Sequence, residues 1–330
     1  MKTVLLACDV YNHETPNLCQ EWESEETITY MESTISALGY DVVVLTDPTE
    51  IVSALSGIPK EKRQDWMVWN LIEGYLSPSR EAYIPALCEY LGFPHTGSAA
   101  SVQTLTLDKF KTKCFLERFG VPMVSSQLVW NGTDNPKLSY PLFVKPNGEG
   151  SSLGISDSNV MFSNKEWEER IPLFLREHRP LLVEPFLSGR ELTVGVMGNF
   201  DSYEVLPAAY VNYPSGVYHE GIKSKLAFLE SLDFQVEGSL QKELAEWALV
   251  IAKALEVSGY IRMDFKLQEG KPYFLEVNAT PGFSHLYSTL PLLWEHSGKT
   301  YSSLLQHCIE LGFEEYATKK RFQYGKDQLK

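Results

Sequence analysis

The sequence predicts an α/β protein of more than one domain, and three stretches carry that prediction. The first hundred residues alternate strand-like and helix-like runs. An apolar strand then opens into the glycine-rich PLFVKPNGEGSSLGIS at 141–156. Two alternating strands, GYIRMDFKLQEGKPYFLEVNATPG, follow at 259–282.

Taken in order, Thr3–Ala7 and Val42–Leu45 are short β-branched runs of the type buried in a parallel sheet. Between them Glu25–Leu38 reads as a helix closed by Gly39. Residues 65–70 give a third strand and Ala82–Leu91 a helix followed by Gly92, so strand–helix–strand units build a small parallel domain. Leu107–Phe119 reads as one helix ended by Gly120-Val121-Pro122. Strands at Ser126–Trp130 and Leu142–Lys145, a helix at Lys165–Arg170 and a strand at Leu181–Glu184 come next. The last third opens with a strand at Glu191–Met197 and carries a strong helix at Leu240–Val257.

At 330 residues the chain is long enough for two or three domains. Its 44% hydrophobic and 22% charged residues are ordinary for a soluble protein. A formal net charge of -14 leaves no basic surplus for nucleic acid or an anionic membrane, though a local basic pocket for a small anion is compatible with it. The five cysteines are scattered, with no CxxC pair, which fits reduced thiols and a cytoplasmic location better than disulfides or zinc. The opening MKTVLLACDV is cut by Asp9 before it reaches the length of a signal peptide, and no window approaches a membrane span.

The hairpin is informative because both strands alternate. Ile261, Met263, Phe265 and Leu267 share one face and leave Arg262 and Asp264 on the other. In the second strand Tyr273, Leu275 and Val277 share a face opposite Glu276 and Asn278. Matching the apolar faces across a five-residue connection, Gln268–Pro272, sets Asp264 opposite Glu276 and Arg262 opposite Asn278. Two adjacent carboxylates repel, so something neutralises them. A hard divalent cation would do so, and so would a solvated face balanced by Arg262 and Lys266.

In the glycine-rich stretch Lys145 ends the strand, Gly148, Gly150 and Gly154 allow close backbone approach, and Ser151 and Ser152 add hydroxyls. The spacing matches neither GxxxxGK[ST] nor GxGxxG. Alone, the stretch is equally a mobile surface loop. Beside a metal-type hairpin, a nucleoside triphosphate becomes the economical ligand, with the loop on its phosphates.

These residues resemble the ATP-grasp superfamily, and in particular the D-alanine–D-alanine ligases, from about Trp69 to Gly282. The resemblance implies an ATP-grasp fold: a parallel α/β domain at 1–103, a lid at 104–187 and a catalytic domain at 188–330. LDKFKTKCFLERFGVP resembles the helix bearing the first ATP lysine, Lys109, and the glycine-rich stretch supplies Lys145, Ser151 and Ser152. VEPFLSGRELTV implies Glu184, Phe186 and Leu187 around the base and Glu191 on the ribose. RMDF with FLEVNATPG implies Arg262 and Gly282 as catalytic groups, joined by Ser152 of the glycine-rich stretch, and Asp264, Glu276 and Asn278 as ligands of Mg²⁺, in two ions, with Mn²⁺ as a substitute. A homodimer is also implied.

The sequence departs from the family in its amino-acid half. The glycine-rich segment that holds the first ammonium is absent, and DVYNHETPNLCQEWESEE stands there. EGYLSPSREAYIP replaces a substrate turn and offers Glu73 and Arg80. A divergent loop offers Lys223 and Lys225, and FSHLYS places Leu286 where a carboxylate-binding serine is expected. The expectation is therefore an ATP-dependent ligase joining a small carboxylate to an amine through an acyl phosphate, for a pair other than D-alanyl-D-alanine. Genuine D-alanine–D-alanine ligation and a non-catalytic ATP-binding regulator are the alternatives. A Rossmann oxidoreductase is disfavoured, because no GxGxxG follows the first strand.

Overall fold

The computed structural model describes residues 2–11, 22–74, 77–150, 153–200, 202–213 and 231–324. The expected phosphate-loop serines, Ser151 and Ser152, and the expected substrate lysines, Lys223 and Lys225, lie outside these residues.

Strands β1 (Thr3–Cys8), β2 (Asp41–Leu45) and β3 (Trp66–Leu71) form a parallel sheet in the order β2-β1-β3. Helix α1 (Glu25–Ala37) starts at Ser24, whose hydroxyl accepts the Thr27 N–H, and ends before Gly39 at φ +90°. Helix α2 (Pro48–Gly57), which the sequence reading passed over, is capped by Asp47 through the N–H groups of Thr49 and Glu50. Helix α3 (Tyr83–Leu91) closes at Gly92, left-handed as expected.

The helix expected over 107–119 is observed from Lys109, its last residues Glu117–Phe119 tightening to a 3₁₀ turn. A break at Asp108 sets it apart from a helix before it that the sequence reading does not include. Helix α4 (Ala100–Leu107) stops at Asp108, and α5 (Lys109–Leu116) starts from it. Asp108 caps α5 by accepting the Lys111 N–H, so the extended backbone at Asp108 costs no buried hydrogen bond. The break brings Lys109 to the first turn of α5.

The next layer is an antiparallel sheet of β4 (Gln127–Val129), β5 (Leu142–Pro146), β6 (Val160–Met161) and β7 (Leu181–Pro185), in the order β4-β7-β5-β6. It is backed by α6 (Asn164–Glu177), whose Trp167, Ile171 and Leu175 are buried against Leu142, Val144 and Val183. The third layer is an antiparallel sheet of β8 (Glu191–Asn199), β9 (Ser202–Val205), β10 (Ala209–Asn212) and β11 (Ser231–Asp233) with two further strands. These are β12 (Ser258–Gln268) and β13 (Lys271–Asn278), and α7 (Gly238–Ala254) packs on the sheet. The chain then forms α8 (Thr289–His296) and α9 (Tyr301–Tyr324). Helix α9 returns to the first sheet: Leu304, Cys308 and Ile309 share a core with Val4, Leu6 and Trp69. No described helix is long and apolar enough to cross a membrane.

The hairpin register is as expected at its functional end, with Arg262 opposite Asn278 and Asp264 opposite Glu276. Its turn is not. The strands pair through Gln268 and Lys271, leaving a two-residue turn at Glu269 (φ +53°) and Gly270 (φ +78°). A bulge between Asp264 and Phe265 absorbs the difference of one residue. Past the bulge Phe274 is buried, while Leu275 turns to the cleft beside Glu276. The expected face of Tyr273, Leu275 and Val277 is therefore split.

Candidate active site

A cleft open to solvent lies between the second and third sheets. It gathers Lys109, Lys145, Glu184, Phe186, Leu187 and Glu191. Arg262, Asp264 and Glu276 line it as well, so residues scattered over 109–276 converge on one cavity.

At the inner end of β5, Lys145 is buried and its Nζ stands 2.9 Å from Glu184 Oε2. Lys113, which the sequence reading did not single out, takes the other oxygen of Glu184 and also donates to the Phe274 carbonyl at 3.1 Å. Burial alone would raise the Glu184 carboxyl, but the two ammoniums hold it below the usual carboxylate range. Lys145 is raised by the same acid, against the desolvation that opposes it.

Lys109 reaches the Glu149 carbonyl and lies 3.1 Å from Glu276 Oε2. The stem of the glycine-rich loop is fixed to α5 by Asn147. Its Oδ1 accepts the Phe110 N–H at 2.9 Å, and its Nδ2 donates to Asp108 at 2.8 Å. At Gly154 (φ +70°) a Cβ would meet His178 Nε2 at 2.5 Å, so that loop position is closed to other residues. Phe186 and Leu187 follow β7 and form the apolar wall with Phe143.

The two facing carboxylates are neutralised by basic side chains. Arg262 grips Asp264 with both Nε (3.1 Å) and Nη2 (2.9 Å), and the Thr193 hydroxyl donates to Asp264 at 2.8 Å. Glu276 is held down to about 2: burial works against this, and Lys109, Lys145 and Arg262 overcome it. Asn278 spends its Nδ2 on Asp264 at 3.0 Å, so its oxygen is the atom a hard cation would take. Two carboxylates and one amide oxygen on adjacent strands suit Mg²⁺ chemistry.

Beyond this hairpin, the Pro281-Gly282 turn meets an acid and a hydroxyl from distant parts of the chain. Glu23, just before α1, is buried, and its Oε1 accepts the Phe283 N–H at 2.6 Å. Ser288, the residue before α8, is also buried, and its Oγ accepts the Ser284 N–H at 2.9 Å. Both oxygens flank Gly282: a Cβ there would lie 2.7 Å from Ser288 Oγ and 3.2 Å from Glu23 Oε1. Leu286 is 50% exposed, so the hydroxyl beside the Pro-Gly turn belongs to Ser288. The sequence reading singles out neither Glu23 nor Ser288, and Ser288 lies two residues beyond Leu286.

Glu73 and Arg80 take different places. The Glu73 N–H, with that of Gly74, is bound by Asp9 Oδ2 at 3.0 and 2.8 Å. Arg80 is buried and donates to the Gly148 carbonyl at 2.9 Å and to Glu149 Oε2 at 3.3 Å, so it braces the glycine-rich loop. Its neighbour Glu81 accepts the Thr280 hydroxyl at 2.7 Å. Consecutive residues thus clasp the loop and the exit of the hairpin.

Gly282→Ala is expected to push Ser288 and Glu23 apart and lower kcat by about tenfold or more, with the KM for ATP little changed. Steady-state kinetics in both substrates checks it, and an unchanged kcat would contradict it.

The D-ala D-ala ligase C-terminus family matches residues 122–310. A D-alanine–D-alanine ligase of Streptococcus equi subsp. equi is 32% identical over 240 residues, covering 70% of this chain and 68% of that protein. One from Bacillus velezensis is 29% identical over 283 residues, covering 81% and 77%. In solved structures the fold matches the ligase of Bacillus anthracis complexed with ATP at a TM-score of 0.76 and 19% identity, over 97% of this chain and 100% of that one. The Coxiella burnetii ligase matches at 0.74, over 99% of each chain. The expectation of a pair other than D-alanyl-D-alanine is overturned by these relatives, each named for that reaction. The chain belongs to the D-alanine–D-alanine ligase family and is an ADP-forming ATP-grasp ligase.

Proposed function

We propose that the protein joins two D-alanine molecules at the expense of ATP, with its domains at 1–103, 104–187 and 188–330. One observation carries the reading: Glu23 and Ser288 flank Gly282, four residues past Asn278 on the hairpin whose Arg262 and Glu276 line the cleft with Lys109 and Lys145. A carboxylate there suits the ammonium of the first amino acid, and a hydroxyl suits the carboxylate of the second.

In this account Lys109 and Lys145 hold the phosphates, Phe186 and Leu187 enclose the base, and Glu191 accepts from the ribose. The first D-alanine's carboxylate attacks the γ-phosphorus, ADP leaves, and an acyl phosphate forms. The second amine adds to the acyl carbon, and collapse expels inorganic phosphate to leave the amide. Arg262 stabilises the transferring phosphoryl group, then with the Gly282 N–H the oxyanion. Asp264, Glu276 and Asn278 would hold Mg²⁺, as a pair of ions, which when bound neutralises charge on the triphosphate.

Lys145→Ala is expected to weaken ATP binding by about tenfold or more and adenosine binding far less, since it meets only phosphate. Calorimetry with both ligands checks this, and equal losses would place the lysine elsewhere. For the function itself, the protein is mixed with ATP, Mg²⁺ and D-alanine. ADP and D-alanyl-D-alanine should appear in equal amounts. ADP release driven by another amino acid, with no dipeptide from D-alanine, would overturn the reading.

A further inference from the structure

The nucleotide end of the cleft holds a third buried ammonium that the account above does not use. Lys266 lies on β12, two and four residues beyond Asp264 and Arg262, so all three side chains share the strand face that looks into the cleft. It is 8% exposed. Its register partner on β8 is Glu191, and its Nζ stands 2.9 Å from Glu191 Oε1. The Tyr213 hydroxyl is 3.4 Å from the same Nζ and bonds to Glu191 too.

We infer that Lys266 is a positioning residue that sets ribose specificity, by pinning one oxygen of Glu191 so that the other meets the sugar hydroxyls. The inference rests on the proposed role of Glu191 at the ribose. A lone carboxylate on a cleft wall has freedom to lose when it binds a diol. One whose first oxygen is held by a buried ammonium, itself beside a phenol, presents the second in a fixed place. Burying an ammonium is costly unless it is paired, and a pair linking β8 to β12 in the cleft wall places that pairing where the ribose would lie. A site built to bond a hydroxyl rejects an analogue that lacks it, because its own acceptor is then left unmatched. A purely structural pair between the strands would instead affect all nucleotides alike.

The test measures equilibrium binding of ATP, 2′-deoxy-ATP and 3′-deoxy-ATP to the whole protein without amino acid. It uses the wild type, Lys266→Met and Lys266→Arg. The wild type should prefer ATP over at least one deoxy analogue by about tenfold or more. Lys266→Met should lose most of that preference by weakening ATP alone, and Lys266→Arg should keep it. Should Lys266→Met not fold, Lys266→Gln carries the same comparison. Equal losses for all three nucleotides, or a wild type blind to the sugar, overturn the inference and leave the ATP site standing. Failure of the wild type to bind ATP at all would instead remove the nucleotide reading on which it rests.

Discussion

Arg262→Met lowers kcat by about two to three orders of magnitude and leaves the affinity for ATP within about fivefold. Arg262 is a cleft residue whose guanidinium is aimed by Asp264, through Nε at 3.1 Å and Nη2 at 2.9 Å. That two-point grip fixes the plane of the fork, so its remaining donors keep their direction while charge moves from the γ-phosphate to the tetrahedral centre. Such donors act only where charge develops, which is why the loss falls on kcat. Arg262→Lys should rescue little, since an ammonium cannot hold both Asp264 oxygens and still present a donor to the cleft. Rapid-quench turnover together with calorimetry for ATP separates the two effects. A kcat within fivefold of wild type would remove Arg262 from the chemistry.

Glu184→Gln is the largest expected loss of stability, about 3–5 kcal/mol. The carboxylate sits between Lys113 and Lys145, all three buried, and its removal leaves two ammoniums side by side without their shared counter-ion. The pH dependence has a definite sign. The folded Glu184 pKa lies below its ordinary 4.5, so its contribution is complete above that pH and is lost as pH falls through the folded value. Urea denaturation from pH 7 down to pH 3 should therefore show the wild type losing stability in acid and the variant losing less. Parallel curves for the two proteins would contradict the assignment. Lys113→Met, by contrast, leaves Glu184 with Lys145 and should cost less than the loss of the acid.

What could be read from the chain before its structure followed from local rules. The hairpin register at Asp264 and Glu276 was legible because both strands alternate with period two. The two-residue turn was not, because a bulge after Asp264 changes the count without changing the pattern near the site. The break at Asp108 carried a signal that was passed over: an aspartate ahead of a lysine-rich helix is an N-cap as well as a helical residue. Glu23 and Ser288 were missed for another reason. Neither lies at a fixed offset from a motif, and each reaches Gly282 only through the packing of α1 and α8 around the turn. The same holds for Lys266, 75 residues from Glu191, whose partner no spacing rule connects. Composition narrows the ligand class, and only tertiary placement brings Glu23 and Ser288 to Gly282.

In the proposed reaction one carboxylate oxygen of D-alanine leaves as part of inorganic phosphate. The most direct measurement feeds the protein ATP, Mg²⁺ and D-alanine labelled with ¹⁸O in both carboxylate oxygens, then weighs the phosphate and the dipeptide by mass spectrometry. The account predicts one ¹⁸O in each phosphate and a dipeptide whose new amide carbonyl retains one. Unlabelled phosphate released alongside ADP, with no D-alanyl-D-alanine, would contradict it.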